Sequence, residues 1–311
     1  MSEKLLQLFP MEHRGFWKQV ASDEEYLQEI RLRTDRPILI IRRQGECFLD
    51  KDGNYTSALE TSVCATEKEL TQILQHVCHY SMYAFEDELK QGFLTVAGGH
   101  RVGIAGQAVM EGEQVRTIKN ISFLNIRISH QIKGVADAVL PHIYRDGEVL
   151  NTLLISPPGC GKTTLLRDLV RQVSDGNRYG LGRCVGVVDE RSEIAGCFQG
   201  KPQNDVGMRT DVLDGCPKAV GMMILLRSMS PKVIAVDEIG NTADMEAIHM
   251  ASCCGCKILA TMHGESVRDA ARKEGMERLF REQLFERFLL LGRENGCPVV
   301  KTVGGKECYL A

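Results

Sequence analysis

The spacing of apolar positions changes character near residue 150. Before it, short alternating runs predominate. Glu29–Ile41 reads as extended structure closing on Pro-Ile-Leu-Ile-Ile, and Gly45–Asp50 reads as its hairpin partner. Thr66–Ala84 sets Leu70, Ile73, Leu74 and Val77 on one stripe and predicts a helix. Gly92–Val96, Arg101–Ala105 and Ala108–Met110 read as short strands separated by turns at Gly98-Gly99 and Gly106, and Ile121–Ile128 as one more strand. Together they predict a small α+β domain over residues 1–130. Ser129–Gly134 is polar and ends in glycine, and Gly134–Tyr144 predicts a helix, so residues 131–150 read as a linker and entry helix.

From residue 151 to 311, continuous apolar strands alternate with helices. The strands are Thr152–Ser156, Cys184–Val188, Val233–Val236 and Lys257–Thr261; the helices are Lys162–Gln172, Lys218–Met229, Ala243–Ser252 and Ser266–Glu274. That alternation predicts an α/β domain whose largely parallel sheet is covered on both faces. Glu282–Leu291 reads as a further helix, and Val299–Val303 with Glu307–Leu310 as a closing hairpin through Gly304-Gly305-Lys306.

The first of these strands runs into Ser156-Pro157-Pro158-Gly159-Cys160-Gly161-Lys162-Thr163-Thr164 and then a helix. Small residues there let backbone N–H groups form a concave nest for phosphate. Lys162 reaches the β- and γ-phosphates, and the Thr163 hydroxyl holds Mg²⁺. The helix opening at Lys162 adds its positive end. Pro158 through Thr164 are the predicted nucleotide-binding residues. The first position of the usual G-x-x-x-x-G-K-[ST] pattern is Ser156, small enough to keep the loop.

Lys232-Val-Ile-Ala-Val-Asp237-Glu238 delivers two carboxylates at a strand's C-terminal end, the edge where open α/β sheets bind ligands. Asp237 suits the metal and Glu238 the polarisation of an attacking water. Other strand ends carry Asp189-Glu190-Arg191-Ser-Glu193 and Thr261-Met-His263. Glu190 or Glu193 can assist the water, and His263 can sense the γ-phosphate. Arg209 and Arg227 are candidate arginines for charge stabilisation across a subunit boundary.

Composition narrows the setting. Formal net charge is −3, so no global field draws nucleic acid or acidic lipid. Apolar runs fall short of a bilayer span and the first ten residues lack a signal-peptide pattern, which predicts a cytoplasmic protein. Twelve cysteines are scattered along the chain, against a disulfide framework. Cys253-Cys254-Gly-Cys256 lacks a spaced partner for metal and reads as small apolar filler.

The phosphate loop, the Asp189-Glu190-Arg191 box, the Leu-Arg227-x-x-x-Pro-x-Val-Ile-x-x-Asp-Glu238 strand and the Thr261-x-His263 box give residues 151–275 a strong resemblance to the secretion ATPase superfamily of type II and type IV systems. Gly98-Gly99-His100-Arg101-Val102-Gly103, Ser122-Phe-Leu-Asn-Ile-Arg127-Ile, Val188-Asp-Glu-Arg-Ser-Glu193-Ile and Val236-Asp-Glu-Ile-Gly240 extend the resemblance over nearly the whole chain, to a sporulation branch found in endospore-forming bacteria. The resemblance implies a RecA-like P-loop core, ATP and Mg²⁺, and a ring of copies, by family habit a hexamer. It implies an amino-terminal domain that moves during turnover, bringing Arg101 and Arg127 toward phosphate. It further implies a mother-cell protein that works on membrane proteins of the stage III sporulation channel between mother cell and forespore, touching the membrane through them alone. A nucleotide-dependent scaffold with little hydrolysis is the alternative from another class, disfavoured by Glu238. A nucleic-acid-linked ATPase is another, disfavoured by the lack of a basic stripe or RNA-binding motif; no nucleic-acid partner is expected.

Overall fold

In the computed structural model, residues 3–81, 85–294 and 297–305 are described. The chain forms two compact units: Met1–His130 with Gly196–Gln203, and Gln131–Ala195 with Asn204–Ala311.

The first unit begins with helices α1 (Glu3–Leu6) and α2 (Arg14–Ser22), followed by strands β1 (Leu27–Arg33), β2 (Leu39–Arg42), β3 (Gly45–Leu49) and β4 (Tyr55–Thr56). After them come α3 (Glu67–Val77), α4 (Glu86–Gln91), β5 (Phe93–Thr95), β6 (Arg101–Glu111) and β7 (Gln114–Arg127). The strands make one sheet in the order β4-β3-β2-β1-β7-β6-β5, with antiparallel neighbours throughout. Alternation sets its inward face: Ile30 and Leu32 of β1, Val102 and Ile104 of β6, and Leu124 and Ile126 of β7 are buried. Trp17 of α2, stacked on Phe9 at 4.2 Å, and the α3 stripe Leu70, Ile73, Leu74 and Val77 share that core. Gly106 lies at an irregularity inside β6, not at a turn between two strands. A Cβ there would sit 2.6 Å from the Lys119 carbonyl oxygen, so the pair closes over it only as glycine.

Gly196–Gln203 joins this unit from far along the chain. Phe198 and Lys201 bridge each other as a small hairpin, the Phe198 ring lies 5.7 Å from that of His79, and the Gly98 N–H donates to Gln203 Oε1 at 3.1 Å.

The second unit holds α5 (Leu140–Ile143), β8 (Tyr144–Arg145), β9 (Glu148–Val149), β10 (Thr152–Ser156), α6 (Lys162–Asp175), β11 (Val185–Asp189), β12 (Thr210–Asp214) and α7 (Lys218–Ser228). It continues with β13 (Val233–Val236), α8 (Thr242–Cys253), β14 (Lys257–His263), α9 (Val267–Ala271), α10 (Met276–Arg281), β15 (Arg287–Glu294) and β16 (Cys297–Gly304). Its large sheet runs β12-β11-β13-β14-β10-β15-β16, parallel except for the last strand. β10, β11 and β13 are buried along their whole length, as strands covered on both faces must be. All of these strand C-termini lie on one edge, which gathers the candidate residues.

Several boundaries differ from expectation. The helix expected over Glu282–Leu291 is a turn followed by β15, because Phe288, Leu289 and Leu291 insert beside β10 as a buried strand. β15 is also the true partner of Val299–Val303; Glu307–Leu310 lies outside the described residues. The helix expected over Gly134–Tyr144 is confined to Leu140–Ile143. α3 ends at Val77, and residues 82–84 of the expected helix lie outside the described set. β12 carried no recognisable pattern. Of the cysteine cluster, Cys256 is buried filler, its thiol on the Pro231 carbonyl, whereas Cys253 and Cys254 are exposed.

The start of α3 provides a local test. Thr66 and Glu69 form a reciprocal cap, the Glu69 N–H donating to Thr66 Oγ1 at 3.2 Å and the Thr66 N–H to Glu69 Oε2 at 2.8 Å. Thr66→Ala is expected to lower stability by about 1 kcal/mol, read as a lower urea midpoint at unchanged slope; an unchanged midpoint would mean the cap contributes nothing.

Candidate nucleotide site

β10 feeds the loop and α6 leaves it, with Gly159 and Gly161 in left-handed conformations at φ 71° and 81°. Lys162 is buried. Its ammonium donates to Ser156 O at 3.1 Å, Ser156 Oγ at 3.2 Å, Pro157 O at 3.2 Å and His263 Nδ1 at 3.1 Å. Burial holds its pKa below the usual lysine value, against the pull of Asp237 and Glu238. Ser156, at the position where glycine is usual, thus supplies two of the four acceptors.

Asp237 and Glu238 follow β13. Thr163 Oγ1 donates to Asp237 Oδ2 at 2.5 Å, and the Thr261 hydroxyl of β14 donates to Asp237 Oδ1. The Glu238 N–H donates to Thr261 Oγ1 at 2.9 Å, and Glu238 takes φ 53°. A left-handed glutamate is a strained backbone that its surroundings must enforce. Its side chain is held on both oxygens, by His263 Nε2 at 2.9 Å and by Arg191 Nη1 at 2.9 Å. Lysine only donates, so His263 Nδ1 accepts from Lys162, and the neutral ring donates from Nε2 to Glu238. A relay Lys162–His263–Glu238–Arg191 therefore runs from the start of α6 through the ends of β14 and β13 to the loop after β11. A cleft of ≈ 20 Å³ lies beside it, lined by Asp189, Glu190, Glu193 and Glu238 among others, about the space one water needs.

Asp189, also buried, borders the same cleft but spends its carboxylate oxygens on the loop that follows it. Its carboxylate accepts the N–H groups of Glu193 at 2.8 Å, Ile194 at 3.1 Å and Ala195 at 2.8 Å; burial raises its pKa, against the lowering by those bonds. Arg167 of α6 holds the Ile194 and Glu193 carbonyls at 2.5 Å each. Glu190 is paired with Lys218. Asp189 and Arg167 together fix the loop that carries Glu190, Arg191 and Glu193.

The candidate arginines are dispersed. Arg209 donates to the Ser174 carbonyl at 3.0 Å and the Asp175 carbonyl at 3.4 Å, at the C-terminal end of α6, away from the phosphate loop at the other end. Arg227 is exposed on α7, on the stripe that carries Val220 and Ile224. In the first unit, Arg101 stacks over Phe93 at 3.5 Å and Arg127 lies 3.8 Å from Glu29. Thr164 follows Thr163 in the first turn of α6.

Sequence reasoning gave no role to Thr261, Arg167, Arg191, Lys273 or Arg293. The Lys273 ammonium donates to the His263 carbonyl, and Arg293 to the Gly159 carbonyl. The hydroxyl in the Thr261-x-His263 box was a usable signal for Thr261; the others become visible only when distant segments are brought together. Among the described residues no helix is long and apolar enough to cross a membrane, and no group of three or more His, Cys, Asp or Glu side chains is placed to hold a metal ion.

Comparison with known proteins agrees with this architecture. The Legionella pneumophila ATPase DotB superposes with a TM-score of 0.61 over 96% of this chain and 82% of its own, at 17% identity. The ADP-bound pilus retraction motor PilT gives 0.60 over 92% and 80%, at 14% identity. The fold is therefore that of the secretion ATPases, with a RecA-like core and an antiparallel-sheet amino-terminal domain. In sequence, the chain is 43% identical over 281 residues to stage III sporulation protein AA of Bacillus subtilis, covering 90% of this chain and 87% of that one. The family model "Sporulation stage III, protein AA" matches residues 1–308, and the chain belongs to that family.

Proposed function

We propose that the protein is an ATP-hydrolysing motor that works as a ring of copies, by analogy a hexamer, and energises the channel complex joining mother cell and forespore. The observation that carries this reading is the Lys162–His263–Glu238 relay, since it links the residue that would meet the γ-phosphate to the residue that would polarise water.

Binding of the triphosphate would start in the loop from Pro158 to Thr164, whose N–H groups and helix end suit phosphate. Lys162 would exchange its carbonyl and imidazole acceptors for phosphate oxygens, a charge-assisted contact stronger than those it gives up. His263 Nδ1, losing its donor, would turn, and the contact with Glu238 would loosen. Glu238 then becomes available to polarise a water in the cleft beside it. The oxygen ligands Thr163 and Asp237, 2.5 Å apart, suit Mg²⁺, which prefers hard oxygen donors. When bound there it would neutralise charge on the β- and γ-phosphates. Glu190 and Glu193 border the same cleft and are the secondary candidates for assisting the water.

Ring assembly is supported by α7. Val220, Ile224 and Met229 are exposed at or beside it while Met222 and Leu225 are buried, so the helix is apolar on two sides, as a helix covered by a neighbour would be. Arg227 on that outward side is the favoured arginine for a neighbouring copy's nucleotide, since Arg209 is engaged at the end of α6. Closure of the amino-terminal unit bringing Arg101 and Arg127 to phosphate belongs to the same proposal, as do the mother-cell location and membrane contact through partners. The clamp on both oxygens of Glu238 supports slow turnover in the unstimulated protein, the one feature in favour of a scaffold that hydrolyses little.

Lys162→Ala is expected to abolish ATP binding in calorimetry; tight Mg²⁺-dependent binding in that variant would remove Lys162 from the site. Glu238→Gln is expected to bind ATP normally and turn over roughly 10²-fold more slowly or worse, on general-base magnitudes; near-normal turnover would pass the role to Glu190 or Glu193. For assembly, ATP hydrolysis per subunit should rise steeply with protein concentration. A flat rate, abolished by Glu238→Gln, would mean a self-contained site or a preassembled ring, and no hydrolysis despite bound ATP would favour the scaffold.

A further inference from the structure

A peptide unit is planar and trans, so its C=O and its N–H point to opposite sides. A phosphate nest needs N–H groups turned inward, and each peptide in it must therefore turn its carbonyl outward. Glycine makes this orientation easy to lose, because it tolerates either hand of φ. Gly159, at φ 71°, is such a point in the loop, and the unit at risk is the one joining Gly159 to Cys160.

That carbonyl is held from outside. β15 runs parallel to β10 with Ile155 opposite Leu290, so Arg293 comes level with the loop as the loop leaves the sheet. Arg293 Nη2 donates to Gly159 O at 2.7 Å and Nε donates at 3.2 Å. The fit is close: a Cβ on residue 159 would lie 3.3 Å from Nη2. The strand under Arg293 is itself pinned by β16, with Gly292 opposite Val299 and Arg293 opposite Pro298. Lys301 crosses over Gly292 so tightly that a Cβ there would lie 2.2 Å from its Cε.

We propose that Arg293 is a positioning residue for the nucleotide site: by holding the Gly159 carbonyl outward it keeps the Cys160 N–H turned into the nest before ligand arrives. Two donors on one acceptor fix the peptide plane better than a single bond, and a pre-formed nest avoids ordering cost at binding. The inference rests on the reading of this loop as a phosphate site. It assigns the β15–β16 hairpin a role in affinity, distinct from the relay that would serve hydrolysis.

The test is ADP affinity of the full chain by calorimetry for Arg293→Ala, Arg293→Gln and Arg293→Lys, with thermal melting of each. Arg293 is exposed, so the midpoints should match wild type. Arg293→Ala is expected to weaken ADP binding about tenfold, the scale of one charged hydrogen bond, with KM for ATP rising and kcat little changed. Gln and Lys each keep an N–H donor and should both recover much of the loss. Recovery by Lys with Gln as weak as Ala would mean that charge acts directly on phosphate, and would overturn the proposal. So would wild-type affinity in Arg293→Ala while Lys162→Ala abolishes binding, with the nucleotide site itself left standing. If neither wild type nor any variant bound ADP, the nucleotide reading would fall first and this inference with it.

Discussion

A buried ammonium must be given acceptors, and the second unit is arranged around that requirement at Lys162. Its four acceptors come from the end of β10, the loop and the end of β14. The imidazole that meets it reaches Glu238 at the end of β13, and Arg191 answers from the loop after β11. The strand order β11-β13-β14-β10 makes this possible, because it brings four C-terminal ends side by side at one sheet edge. These contacts link the start of α6, the ends of β14 and β13 and the loop after β11 through one run of side chains.

Asp237 plays the complementary part. It takes the Thr163 hydroxyl from α6 and the Thr261 hydroxyl from β14, while Thr261 accepts the Glu238 N–H. One carboxylate thereby ties the helix after the phosphate loop to two strands, and the left-handed backbone at Glu238 is set by the same threonine. The strain belongs to a place where three elements over-determine a single residue.

Much of this was legible in the sequence where a local pattern carries a single physical meaning. The strand into the phosphate loop and the strand into Asp237-Glu238 were read within a few residues, and the stripe of α3 at its four positions though not at its end, because apolar runs beside glycine or acid pairs admit few readings. Glu282–Leu291 failed because Phe288, Leu289, Leu290 and Leu291 form a short continuous apolar run, which fits a buried strand and a buried helix equally. The partner of such a strand decides, and that partner, β10, lies far back in the chain. β12 failed differently: Thr210–Asp214 is half-exposed at the sheet edge and mixes acids with apolar residues, so neither period shows. Arg167, Arg191 and Arg293 act through carbonyls or carboxylates of distant segments, and a linear sequence carries no sign of which carbonyl an arginine will meet. Arg209 illustrates the converse: a loop arginine with a plausible chemical task is occupied by the end of α6.

The hairpin Gly196–Gln203 has a consequence for how the molecule is made. The chain leaves the first unit at His130, lays down β10, α6 and β11 of the second, and returns to the first unit before departing again at Asn204. Domains made from the N-terminus usually complete themselves in order, but here the last piece of the first unit is synthesised only after β10, α6 and β11 of the second. The partly built phosphate loop is therefore present throughout that interval, and a gene cut after residue 130 would encode a sheet without the piece that lies against Gly98 and His79. The two units are interleaved along the chain, so a single cut at the end of the first stretch divides a unit and does not separate two.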